Sequence, residues 1–131
     1  MLVIVKKPGV KAEELDISHE LESLQAQVDG YIEFVHIKQL HERGIAVIVN
    51  DEGKIHGLPV NIAMVNNEYD VVETLVGNVL FTGLKYSSEG PSCSSLSKDQ
   101  IEFINEFIFD NDLKFTIDSD YGYIIDSVRI D

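Results

Sequence analysis

Three observations predict an α+β domain: short apolar runs rich in β-branched residues, connections too brief for crossovers, and only two stretches with helical period. The expected architecture is a mostly antiparallel sheet of six or seven strands with two amphipathic helices and a C-terminal hairpin. The 131 residues fit a single domain, 1–131, since compact domains run about 100–150 residues and bury enough surface to hold a core without staples.

Leu2 to Lys6 is an apolar run closed by Pro8-Gly9, a buried strand followed by a turn. Across Ala12 to Ile17, Leu15 and Ile17 alternate with Glu14 and Asp16, as in a second strand. Ser18 then offers a hydroxyl cap to a helix whose inner face carries Leu21, Leu24 and Val28, with Asp29-Gly30 as its stop. Tyr31 to Ile37 reads as a strand, and Ile45 to Val49 as a central strand covered on both faces. Asn50-Asp51-Glu52-Gly53 is turn chemistry, which predicts Lys54-Ile55-His56 as a returning hairpin partner.

Pro59 lacks an amide donor and interrupts that strand, and Ile62 to Val65 is expected as a helical turn before Asn66-Asn67. Asp70 to Thr82 is strand-like, with Gly77 as a bulge or a close approach of another backbone. The serine-rich Ser87 to Ser95 reads as a mobile loop. Ser97-Lys98-Asp99-Gln100 fits a capping box ahead of a helix with Ile101, Ile104, Phe107 and Ile108 on one face and Asn111 as its stop. Leu113 to Ile117 and Tyr123 to Ile130, joined through Asp118 to Gly122, form the closing hairpin.

Twenty-three acids against ten bases give a formal charge of −13. Such a field repels phosphate backbones and anionic lipid, which argues against direct nucleic-acid or membrane binding. The longest apolar stretch, near Val76 to Leu84, is broken by Gly77, Asn78, Thr82 and Gly83, and the charges at the start follow the apolar run. The expected location is the cytoplasm. Seven acids (Glu13, Glu14, Asp16, Glu20, Glu22, Asp29 and Glu33) lie between Ala12 and Ile37 with no Lys or Arg. Six aspartates between Asp110 and Asp131 face only Lys114 and Arg129. This excess suits either a solvated surface or an acidic interaction face that imitates nucleic-acid phosphate.

Catalytic and metal chemistry find no pattern. Cys93 is the only cysteine, without a basic neighbour in sequence to activate it, and it permits neither a disulfide framework nor a thiolate zinc site. His36, His41 and His56 lack zinc spacing. There is no nucleophile elbow, Walker loop or dinucleotide turn, so no enzyme, cofactor or metal is expected. The polar groups suited to ligand binding are Tyr31, His36, Lys38, Arg43, Lys54, His56, Asn61 and Tyr86. Lys85 joins the bases that a phosphate would need, and Tyr69, Tyr121 and Tyr123 are further flat contact surfaces. Asn61 has two readings: a cap on the helical turn after it, or a ligand-facing amide.

Ile4-Val5-Lys6-Lys7-Pro8-Gly9, Gly30-Tyr31-Ile32-Glu33, Asn50-Asp51-Glu52-Gly53 and Gly57-Leu58-Pro59-Val60-Asn61, with the weaker Leu96 to Ile101, resemble the domain-of-unknown-function family 3846 over a core of about residues 2–109. Residues 110–131 form a hairpin extension beyond it. The resemblance implies a small accessory protein of phages, plasmids and other mobile elements, and it carries over no catalytic residue. Within that setting the expected function is a non-catalytic binding protein, in homo-oligomeric form, that sequesters a small, nucleotide-like host defence signal. An acidic inhibitor of a host defence protein such as a nuclease is the alternative, and a nucleotide hydrolase a second one.

Overall fold

The computed structural model describes residues 1–68, 70–109, 114–116 and 124–130. Asn111, Tyr69, Tyr121, Tyr123 and the Asp118 to Gly122 turn lie outside them. The chain order is β1 (Leu2–Lys6), β2 (Glu13–Asp16), α1 (Leu21–Val28), β3 (Ile32–Val35), α2 (Lys38–His41), β4 (Ile45–Asn50), β5 (Val60–Val65), β6 (Val71–Val76), β7 (Val79–Ser87), β8 (Gly90–Ser94), α3 (Lys98–Phe109), β9 (Lys114–Thr116) and β10 (Ile124–Arg129). This is the α+β, mostly antiparallel class that the sequence predicts. The strands divide between two sheets. One runs β2-β1-β7-β4-β3 with β8 on the far half of β7, and the other runs β6-β5-β10-β9. The β5–β10 pair is parallel, with Asp126 opposite Ile62.

The larger sheet is covered on both faces, which is why β4 is apolar from Ile45 to Val49 and buried at every position. Alternation sends Val3, Val5, Ile48 and Leu80 to one side, beneath Leu24 and Val28 of α1. Ile4, Val47, Val79 and Phe81 point the other way. There they meet Ile62, Met64, Leu75 and Val128 of the second sheet and Ile104 and Ile108 of α3. The order of layers is helix, sheet, then sheet with α3.

Several local expectations change once pairing is known. Ile17 donates its amide to the Met1 carbonyl at 2.9 Å, which carries the β1–β2 ladder up to the residue before the predicted cap. Helix α1 therefore starts at Leu21 after an extended Glu20, and the Ser18 hydroxyl pairs with that of Ser23 instead of capping. Asp29, at φ 59°, takes the left-handed closing position. His41 ends the short helix α2.

Lys54-Ile55-His56 forms no strand, because β4 already has β3 and β7 on its two sides. Residues 51–57 coil instead into successive turns, with the His56 amide on the Glu52 carbonyl and the Leu58 amide on the Gly53 carbonyl. Ile62 to Val65, expected as a helical turn, lies in β5, where β6 and β10 satisfy its backbone. The Asp70 to Thr82 stretch is two strands parted at Gly77. Its φ of +70° favours glycine, and a Cβ there would lie 2.8 Å from the Leu58 Cδ1. The serine-rich segment is not a loop: β8 pairs along β7 from Gly83 to Ser87. The capping box forms as predicted, with Ser97 N–H on the Gln100 side chain at 2.9 Å and Gln100 N–H on the Ser97 hydroxyl at 3.2 Å.

Candidate functional site

The two sheets are joined by a polar cluster built from distant segments. Lys6 is fully buried at the end of β1, and its Nζ donates to the Asn61 Oδ1 at 3.0 Å and the Lys7 carbonyl at 2.9 Å. The Asp126 carboxylate on β10 lies 3.3 Å away. Asn61 in turn donates to the Lys6 and Gly77 carbonyls at 2.7 and 2.8 Å. Burial pushes the Lys6 ammonium below its ordinary pKa of 10.5, and the neighbouring Asp126 only partly opposes it. Asn61 is therefore neither the helix cap nor the ligand-facing amide that its sequence position suggested. Placed inside β5, it aligns the sheets.

A second polar anchor shapes the surface. Asn50, at the end of β4, donates to the Val28 and Asp29 carbonyls at the close of α1, at 3.0 and 3.2 Å. Its Oδ1 accepts the Glu52 amide at 2.8 Å. One side chain thus ties the end of α1 to the start of the 51–57 turn. Gly30 makes room for it, since a Cβ there would fall 2.7 Å from the Asn50 Nδ2. The Asp51 amide also donates to the Tyr31 carbonyl, at 3.0 Å.

This anchored turn closes one end of a cleft of about 400 Å³ between β3 and β6, the edge strands of the two stacked sheets. Val35, Val49, Leu75 and Val76 supply apolar walls, with the exposed Phe34 and Ile55 beside them. Glu33, His36, Asp51, Lys54 and Glu73 add polar groups. Lys54 reaches from the turn to an ion pair with Glu73, and that hydrogen bond holds the Glu73 carboxyl below its usual range. Apolar and polar side chains contribute about equally to the lining, and a concave hollow that combines the two suits a small ligand. A broader, more open depression of about 680 Å³ lies between β2 and α3, where it carries Glu13, Glu14 and Glu106.

Of the predicted ligand residues, the structure brings His36 and Lys54 into the cleft and sets the exposed Tyr31 beside its turn. Tyr86 meets His41 at 3.3 Å, and the His41 ring lies 4.6 Å from that of His36, so this pair stands behind the His36 corner. His56 is bound to Glu52 at 2.9 Å and is not part of the lining. Lys38 faces Glu42 at 3.9 Å, and the Arg43 guanidinium covers the Phe103 ring at 3.8 Å. The bases therefore do not converge: of Lys38, Arg43, Lys54 and Lys85, Lys54 alone lines the cleft.

The acidic run is divided as well. Glu13, Glu14 and Asp16 lie on edge strand β2, Glu20 and Glu22 at the start of α1, Asp29 at its end, and Glu33 on the opposite edge of the sheet. Sequence reading missed the walls from β6, Glu73 to Val76, because nothing local says which strand will stack over β4. The turn motif at Asn50 was the available signal.

Among the described residues no three His, Cys, Asp or Glu side chains converge to hold a metal ion, and no helix is long and apolar enough to cross a membrane. Cys93 is buried, with its carbonyl 2.7 Å from the His19 Nε2. No curated protein and no solved structure matches the chain. The model of a domain of unknown function, DUF3846, matches residues 1–108, a span that holds Lys6, Gly30, Asn50 and Asn61 but not β10. The chain belongs to the DUF3846 family.

Proposed function

We propose that this chain is a small acidic binding protein that sequesters a small molecule in the β3–β6 cleft without transforming it. The observation that carries the reading is the cleft itself: about 400 Å³ with apolar walls and about as many polar groups, three of them carboxylates, held by two sheets and a pinned turn. Its polar groups narrow the ligand. Glu33, Asp51 and Glu73 accept hydrogen bonds, whereas Lys54 is already engaged by Glu73. Amines, ring N–H groups and hydroxyls suit this lining, and a free phosphate does not. For a nucleotide-like signal, the base and sugar fit the cleft and the phosphates point to solvent. A mobile-element protein acting in the host cytoplasm by occupancy is consistent with this reading, since a tight binder needs no catalytic group.

The test passes an ultrafiltered small-molecule fraction from host cells over immobilised protein and identifies retained molecules by mass spectrometry. Wild type is expected to enrich a discrete compound, released unaltered. The Thr74→Tyr variant, which fills the cleft from edge strand β6, is expected to lose it. Equal retention by both proteins, or chemical change of the compound, overturns the reading.

A further inference from the structure

Sheet edges differ in how they are defended against pairing. Natural edges are blunted by charge, proline or bulges, because an unpaired strand is a template for another chain. Edge strand β2 carries Glu13, Glu14 and Asp16 within four residues. Edge strand β6 has two register shifts against β5. Strand β3 has neither device: it pairs with β4 in unbroken register from Ile32 to Val35 and bears a single charge, Glu33.

The Tyr31 carbonyl accepts the Asp51 amide, so it points toward β4. The two-residue period then turns the N–H and C=O groups of Ile32 and Phe34 outward, away from β4. Around this free ladder stand exposed aromatic groups, with Phe34 at 50% and Tyr31 at 72% exposure.

We propose that the outer edge of β3 accepts a strand from a basic polypeptide, in a chain-to-chain pairing that goes beyond capture of a small molecule and does not depend on it. Backbone pairing with Ile32 and Phe34 supplies the affinity, and side chains of alternate residues supply the selectivity. On one face the incoming strand meets Ile32 and Phe34, which favours apolar residues. On the other it meets Glu33 beside Asp51, with Glu73 already paired to Lys54, and the Glu33 and Asp51 carboxylates favour Lys or Arg at alternate positions. The formal charge of −13 draws such a partner from a distance. The same charge opposes a second copy, which would bring another Glu33 to the interface.

The probe is a capped six-residue peptide alternating arginine and valine, titrated into isotope-labelled protein. Amide exchange at Ile32 and Phe34 is expected to slow, and affinity to fall at least about tenfold when salt rises from 50 to 500 mM. Phe34→Pro removes one outward N–H without touching the β3–β4 ladder, so it is expected to fold and to lose the peptide. Phe34→Ala keeps the N–H and is expected to bind within about tenfold of wild type.

Unchanged binding by Phe34→Pro, equal binding of a peptide alternating aspartate and valine, or no saturation in the millimolar range overturns the proposal. Slow exchange at both amides without peptide, in a protein of dimer mass, overturns it in favour of a second copy. Retention of small molecules by Thr74→Tyr bears on the cleft alone, so the two readings fail separately.

Discussion

Asp126→Ala is expected to lower the unfolding free energy by about 3–5 kcal/mol, the usual result of leaving one member of a buried ion pair behind. The Lys6 ammonium would keep the Asn61 and Lys7 acceptors but lose the Asp126 carboxylate, in a position with no access to water. Urea unfolding followed by circular dichroism measures the loss, and a value below about 1 kcal/mol would mean that Lys6 is solvated or neutral in the native state.

A pH series separates these states. The folded-state pKa of Lys6 lies below 10.5, so between that value and 10.5 the unfolded chain binds more protons than the native one. Stability from this group therefore rises with pH through that window. Wild type should gain on Lys6→Met as pH approaches 10.5, and a constant difference would remove burial as the cause.

Asn50→Leu is the second large effect. It leaves the Val28 and Asp29 carbonyls and the Glu52 amide without their partner, at a cost of about 2–3 kcal/mol in thermal or urea unfolding. Because the same side chain seats the 51–57 turn, the affinity of any cleft ligand should fall at least about tenfold even where the variant is fully folded. A folded variant with unchanged affinity would show that the turn is positioned without Asn50. Gly30→Ala should resemble it more weakly, by pushing on the Asn50 amide.

These two anchors explain the residues that carry the family pattern. Lys6 and Asn61 come from motifs 55 positions apart and meet in one buried cluster, while Gly30 and Asn50 meet at the end of α1. These four residues of the pattern hold the sheets and the turn. Asp126 joins the cluster from β10, outside the span matched by the family. The C-terminal strand is therefore part of the scaffold: it lies within the second sheet, between β5 and β9.

Local chemistry was legible wherever a short segment determines its own structure. The Ser97 capping box and the apolar Ile45 to Val49 run of β4 formed as read, and of the predicted α1 face Leu24 and Val28 are buried whereas Leu21, in the first turn, is 53% exposed. Readings failed where a distant strand decides the outcome. Ile62 to Val65 is a short apolar run with no period to separate helix from strand, and β6 and β10 settle it. Lys54 to His56 had good hairpin signals but no vacant edge of β4 to pair with. Asn61 looked exposed beside Pro59, and only the stacking of β5 under β1 buries it. For the site, His36 and Lys54 were found by type, whereas the Leu75 and Val76 walls depended on which sheet faces which.

The central claim is that the cleft between β3 and β6 holds the ligand. It is tested most directly by adding the retained compound to methyl-labelled protein and reading shifts at Val35, Val49, Leu75 and Val76. Saturable shifts at these four residues, with Val3 and Val5 beneath α1 unmoved, are the predicted result. Shifts confined to the depression beside Ala12 and Asn105, or none at saturating ligand, would contradict it.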